Sequence, residues 1–79
     1  MAELLRITPQ DNVAVALTAL SSGQTVTLDG IALTTVTDVP AGHKVALFPI
    51  KAGEKVIKYG FPIGYAKEDI PVGAHVHVH

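Results

Sequence analysis

Val39-Pro40-Ala41-Gly42-His43-Lys44-Val45 is one of four copies of a short pattern: an apolar anchor, two residues, a glycine, two residues and a valine. The others are Leu20-Ser21-Ser22-Gly23-Gln24-Thr25-Val26, Ile50-Lys51-Ala52-Gly53-Glu54-Lys55-Val56 and Ile70-Pro71-Val72-Gly73-Ala74-His75-Val76. Each reads alike. The anchor holds the chain to a core, the next two residues open a turn, glycine takes the positive φ, and a β-branched residue begins a strand. In two copies a proline, Pro40 or Pro71, is expected to pre-set the first turn angle at position i+1. Four turn-into-strand units at close spacing predict an all-β fold of short strands. The anchors stand 19, 11 and 20 residues apart, too irregular for a solenoid, so the copies are recurrent turns within one folded unit.

Between the turns, alternation predicts strands over 4–8, 12–17, 25–28, 32–37, 44–49, 55–59, 63–67 and 74–79. The alanines and leucines of Val13–Leu20 would also tolerate a helix, capped by Asp11 or Asn12. The expected outcome is a strand followed by at most one helical turn. Leu28-Asp29-Gly30-Ile31 is a tight-turn signal, an Asp-Gly pair between apolar runs. Gly60 and Gly64 flank Phe-Pro-Ile and predict a sharp bend between Tyr59 and Tyr65.

Seventy-nine residues support a single domain over 1–79. A chain this short buries only about 60–65% of its unfolded surface, yet 48% of its residues are hydrophobic and its mean hydropathy is positive. That excess argues against disorder and for apolar surface left over for a partner, including a homo-oligomer. With net charge −1 and six scattered Lys/Arg, no basic stripe exists for a phosphate backbone, so no nucleic-acid partner is expected. The absence of cysteine excludes disulfides, thiolate metal sites and thiol nucleophiles. Neither a signal peptide nor an apolar run long enough for a membrane span is present, so the expected location is cytoplasmic, with no membrane partner.

The chemistry-bearing residues are few. His75, His77 and His79 alternate, so on a strand they share one face. His75 and His77 could converge on one metal ion, or the three could form the polar face of an edge strand. His43 and Lys44 follow the Gly42 turn, where His43 could ligate or act as acid or base and Lys44 could pair with a substrate carboxylate. The ordinary alternative is a turn cap beside a solvated charge. Lys58 and Tyr59 also have ordinary explanations, one facing outward and the other packed in the core. No phosphate loop, serine triad or carboxylate dyad is present.

Several stretches together resemble the SAF-type module of the altronate/galactarate dehydratase family, which also occurs as the small subunit of sulfolactate sulfo-lyase. They are Asp11-Asn12-Val13-Ala14-Val15-Ala16-Leu17, Val39-Pro40-Ala41-Gly42-His43-Lys44-Val45-Ala46, Val56-Ile57-Lys58-Tyr59-Gly60-Phe61-Pro62-Ile63-Gly64-Tyr65-Ala66 and Ile70-Pro71-Val72-Gly73. The resemblance runs from about Ile7 to His77. It implies a small β-clip domain within a lyase that removes water, or sulfite, from a sugar acid or small hydroxy acid. It further implies a divalent cofactor, iron or manganese, and a larger catalytic chain or domain as partner. By the same resemblance His43 and Lys44 would be catalytic, Lys44 with Tyr59 and Gly60 would meet substrate, and His75 with His77 would hold metal. The competing reading is a non-catalytic SAF-type module that binds carbohydrate or sugar acid, or serves only in oligomerisation.

Overall fold

The central strands are apolar on both faces because both faces are covered. In the computed structural model, which describes residues 3–76, eight strands form: β1 Leu4–Leu5, β2 Val13–Ala16, β3 Thr25–Leu28, β4 Ile31–Thr34, β5 Lys44–Ala46, β6 Lys55–Lys58, β7 Phe61–Tyr65 and β8 His75–Val76. β1, β2, β5 and β8 make an antiparallel sheet in that order, while β3–β4 and β6–β7 are separate hairpins. Alternate residues along the sheet go to two different cores. Ala14, Ala16 and Val45 join Leu4, Leu20, Val26, Leu33 and Val39 beneath the first hairpin. Val13, Ala46 and Val76 join Ile50, Val56, Ala66, Ile70 and Ala74 beneath the second. The sheet is therefore a middle layer with one hairpin on each side.

This double burial resolves the ambiguous Val13–Leu20 segment. Val13, Ala14 and Ala16 are all buried, which a helix stripe and a half-solvated strand would each fail to do. No helix forms among the described residues, and Asp11 and Asn12 cap none. All eight expected strands are present, five of them shorter than the alternation suggested, while the end of the eighth, 77–79, lies outside the described residues.

The four anchors pair with one another. Leu20 and Val39 exchange both backbone hydrogen bonds at 2.8 Å, and Ile50 and Ile70 do the same at 2.9 and 2.7 Å. The chain is accordingly built twice, with equivalent positions 30 or 31 residues apart. Gly23 N–H bonds Thr35 O as Gly53 N–H bonds Ala66 O, both at 2.8 Å. Ser22 N–H bonds Asp38 Oδ1 at 2.8 Å as Ala52 N–H bonds Asp69 Oδ1 at 2.9 Å. The added residue in the second half sits in β7, where the register shifts between Val56 and Ile57. Pro62, with no N–H to lose, is accommodated beside that irregularity.

The prolines occupy a different turn position from the one expected. The closing bonds run from His43 N–H to Pro40 O and from Ala74 N–H to Pro71 O, which places proline at position i and glycine at i+2. At position i in the other two copies the N–H needs an acceptor, and Gln24 and Glu54 supply it to Ser21 (3.0 Å) and Lys51 (2.6 Å). Proline has no such N–H. The residue after the glycine in these two copies, His43 or Ala74, is thereby released for other contacts.

Candidate functional site

Two groups of the expected site residues lie at opposite ends of β5. At its start, His43 Nδ1 and His75 Nε2 stand 2.9 Å apart, with ring centroids 4.9 Å apart and planes tilted by 52°. The pairing of β5 with β8 makes this contact: Val45 opposes His75, so His43, two residues before Val45, projects from the same face. The β8 backbone is fixed by His75 N–H donating to Thr37 Oγ1 at 2.9 Å. A bond between two imidazole nitrogens needs one N–H and one lone pair, so at least one ring is neutral while it holds.

Lys44 does not join the histidines. It opposes Val15 and Val76 in the sheet and is half-buried. Its side chain leaves from the Ala46 face, opposite to that of His43. His77 and His79 lie outside the described residues. Among the described residues no three His, Cys, Asp or Glu stand together in a way that would hold a metal ion.

At the other end of β5, Leu47 N–H bonds Asn12 O, and the second hairpin is tied to this corner. Tyr59 and Gly60 form its two-residue tip, with φ of 56° and 78°, matching Asp29 and Gly30 at 52° and 77° in the first hairpin. Both are mirror-image turns of the kind that suits strand twist. The expected sharp bend thus falls at Tyr59-Gly60, and Phe61–Tyr65 continues as a strand. Tyr59 is not in the core: it is 42% exposed, with Lys58 Nζ 4.8 Å from its ring centroid.

Among the described residues Tyr59 is the one bulky residue held in the left-handed region, where an L side chain costs about 1–2 kcal/mol. Tyr59→Gly is expected to raise unfolding free energy by about 1 kcal/mol in urea titrations. A loss of stability would show that the ring's contacts outweigh its backbone strain.

Asp11 and Asn12 hold this corner together, and neither role was legible in the sequence. The Asp11 carboxylate is 1% exposed. Its Oδ1 accepts from Thr8 Oγ1 and Gly60 N–H, both at 2.7 Å, and Oδ2 accepts from Ile7 and Thr8 N–H at 3.2 Å. Burial pushes its pKa up, but the bonds from the Thr8 hydroxyl and from the Gly60, Thr8 and Ile7 amides outweigh it and hold the carboxyl well below the usual range. Asn12 donates to Lys55 O at 2.9 Å and accepts from Ile57 N–H at 2.7 Å, acting as a short added strand against β6. The available signal was an Asp three residues after a Thr and just before an apolar strand, a pattern shared by many simple turns.

The comparisons with known proteins agree with this architecture. The family model of the altronate/galactarate dehydratase SAF domain matches residues 2–79. The chain is 42% identical over its whole length to altronate dehydratase of Bacillus subtilis (strain 168), and 51% identical over 98% of its length to that of Escherichia coli (strain K12). It spans 16% of the length of each of these two relatives. Over 60% of its length it is 55% identical to (2R)-sulfolactate sulfo-lyase subunit alpha of Paracoccus pantotrophus, covering 70% of that chain. No helix of the described residues is long and apolar enough to cross a membrane. An all-β chain matched by this model almost from end to end belongs to the altronate/galactarate dehydratase SAF-domain family.

Proposed function

We propose that this chain is the small module of a metal-dependent lyase, working with a larger catalytic polypeptide, continuous or separate, in the cytoplasm. Its substrate is a sugar acid such as altronate or galactarate, losing water, or sulfolactate, losing sulfite. The observation that carries this reading is the His43–His75 contact at 2.9 Å in a chain of this family. Two imidazoles brought together from separate turns, one of them left without the usual turn-capping duty, suit proton transfer or ligation better than they suit stability.

The donor set fits a divalent iron or manganese ion in part. His43 Nδ1 and His75 Nε2 could both turn lone pairs to one ion, with the remaining ligands supplied from outside the described residues, His77 among the candidates. When bound, such an ion supplies Lewis-acid stabilisation to the charge that develops as the proton next to the carboxylate is removed. Where it is not itself a ligand, His43, exposed on the turn, would hold the proton that a departing hydroxyl needs, whereas sulfite leaves as an anion. Thr37 positions β8, and with it His75, against His43. The Tyr59-Gly60 tip and Lys44 lie away from the histidines, so a substrate role for them requires surface from the larger polypeptide bridging both ends of β5.

The test is anaerobic co-purification from the native source, followed by metal analysis and lyase assays with altronate, galactarate and sulfolactate. A stoichiometric larger chain carrying iron or manganese is expected. His43→Ala should lower turnover of that complex by about 100-fold or more, with its thermal midpoint hardly moved because the ring is exposed. Equal losses of activity and stability would make His43 structural. A lone, metal-free chain would remove the lyase reading.

A further inference from the structure

The two halves follow one plan, and they differ in what lies beside their last turns. In the first half, Val36, Thr37 and His43 receive the second half's Gly73 turn and the start of β8. Val36 N–H donates to Gly73 O at 3.0 Å, His75 N–H donates to Thr37 Oγ1 at 2.9 Å, and the His75 ring meets His43. Gly73 enters where no side chain fits, since a Cβ there would stand 2.1 Å from Thr34 O. Thirty-one residues further on, the same positions are Lys67, Glu68 and Ala74. With Asp69, Pro71 and His75 they line a groove of about 200 Å³. Beside it, β8 is the outer strand of the sheet among the described residues.

We infer that this groove takes the element its counterpart takes: a β-strand entered through a glycine turn, supplied by the larger polypeptide. The supplier rests on the function proposed above, whereas the form of the segment rests on the duplication alone. Lys67 N–H stands in the place of Val36 N–H and donates to the carbonyl of the incoming glycine. Glu68 stands in the place of Thr37 and accepts the backbone N–H two residues after that glycine. Ala74 stands in the place of His43, which leaves room for a longer side chain at the position His75 fills in the first half. Glu68 and Asp69 outnumber Lys67 there, so a cationic side chain, Arg or Lys, fits best. Pairing along β8 adds main-chain hydrogen bonds that tolerate many sequences. A second copy of this chain is a poorer occupant. Its two glycine turns that lead into sheet strands are already engaged, Gly42 N–H with Ala16 O and Gly73 N–H with Ala46 O.

The probe is a synthetic peptide copying residues 70–79 and carrying His75→Arg, titrated into the isotope-labelled chain and followed by NMR. Shift changes confined to residues 67–69 and 74–76, with a dissociation constant on the order of 1 mM or tighter, are expected. A peptide that also carries Gly73→Ala should bind about tenfold more weakly, and Glu68→Gln in the chain should weaken binding severalfold without changing its melting. No shifts, shifts elsewhere, or equal binding by the Gly73→Ala peptide would overturn the inference. A dimer in sedimentation velocity that the peptide dissociates would overturn the choice of occupant in favour of a second copy. Peptide binding involves no lyase chemistry. Binding without activity would therefore reject the functional reading alone, and an active complex whose chain ignores the peptide would reject the groove alone.

Discussion

Asp11→Asn is expected to lower the unfolding free energy at neutral pH by about 2–4 kcal/mol, because a buried charge-assisted cluster loses its acceptor. Four donors converge on the native carboxylate: the Thr8 hydroxyl and the amides of Ile7, Thr8 and Gly60. An amide side chain keeps one acceptor oxygen and points an NH₂ at donors that have no other partner among the described residues. Total stability for a chain of 79 residues is of order 4–12 kcal/mol, so the variant should melt many degrees lower or fail to fold at 37 °C. Urea titration measures this. Glu68→Gln, which also removes one carboxylate but on an exposed residue, is the control and should change stability by less than about 0.5 kcal/mol.

The same group is expected to set the acid limb of stability. Its pKa is depressed in the folded chain relative to an unfolded value of about 3.9, so the folded state binds fewer protons there. The stabilisation is fully present above about pH 5 and is lost as pH falls through 4 toward the folded value. Asp11→Asn should therefore flatten the loss of stability between about pH 5 and 2. An unchanged acid limb would assign acid sensitivity to other carboxylates.

Gly73→Ala is expected to be the more damaging of two chemically identical changes. Gly42 and Gly73 hold φ of 83° and 85°, so alanine costs about 1–2 kcal/mol of backbone strain at either. At Gly42 nothing lies within 4 Å of a new Cβ, whereas at Gly73 the methyl would stand 2.1 Å from the Thr34 carbonyl oxygen and 3.2 Å from Thr35 Cα. Backbone is struck on both counts, so β8 must move away from Thr37 and from β5. A loss of about 4 kcal/mol or more, or a chain that does not fold, is expected for Gly73→Ala against about 1–2 kcal/mol for Gly42→Ala. Equal effects in thermal melts would show that the turn has slack to retreat.

The turns were legible because each needs a residue that few others can replace. Asp29-Gly30 announced a hairpin through two residues tolerant of positive φ, while Tyr59-Gly60 hid the same turn behind an aromatic ring. The anchors Leu20, Val39, Ile50 and Ile70 were visible as a motif, but their mutual pairing was not, since an anchor gives no sign of its partner. Val13–Ala16 stayed ambiguous because a strand buried on both faces carries no period. The His43–His75 contact was out of reach for a related reason. It depends on β5 pairing with β8 across 32 residues, and local alternation instead grouped His75 with His77, which lies outside the described residues.

β5 belongs to both halves at once: it closes the first as β8 closes the second, with Val45 turned into one core and Ala46 into the other. Neither half can therefore open by itself, because releasing β5 from β2 also exposes the cluster held by Ala46, and releasing it from β8 loosens the setting of Val45. Amide protons in the two hairpins should then exchange through one common opening, with no intermediate in which one hairpin is protected and the other is not. The repeat looks like two small modules joined in line, yet it would melt as one cooperative body, its smallest separable piece being the whole domain.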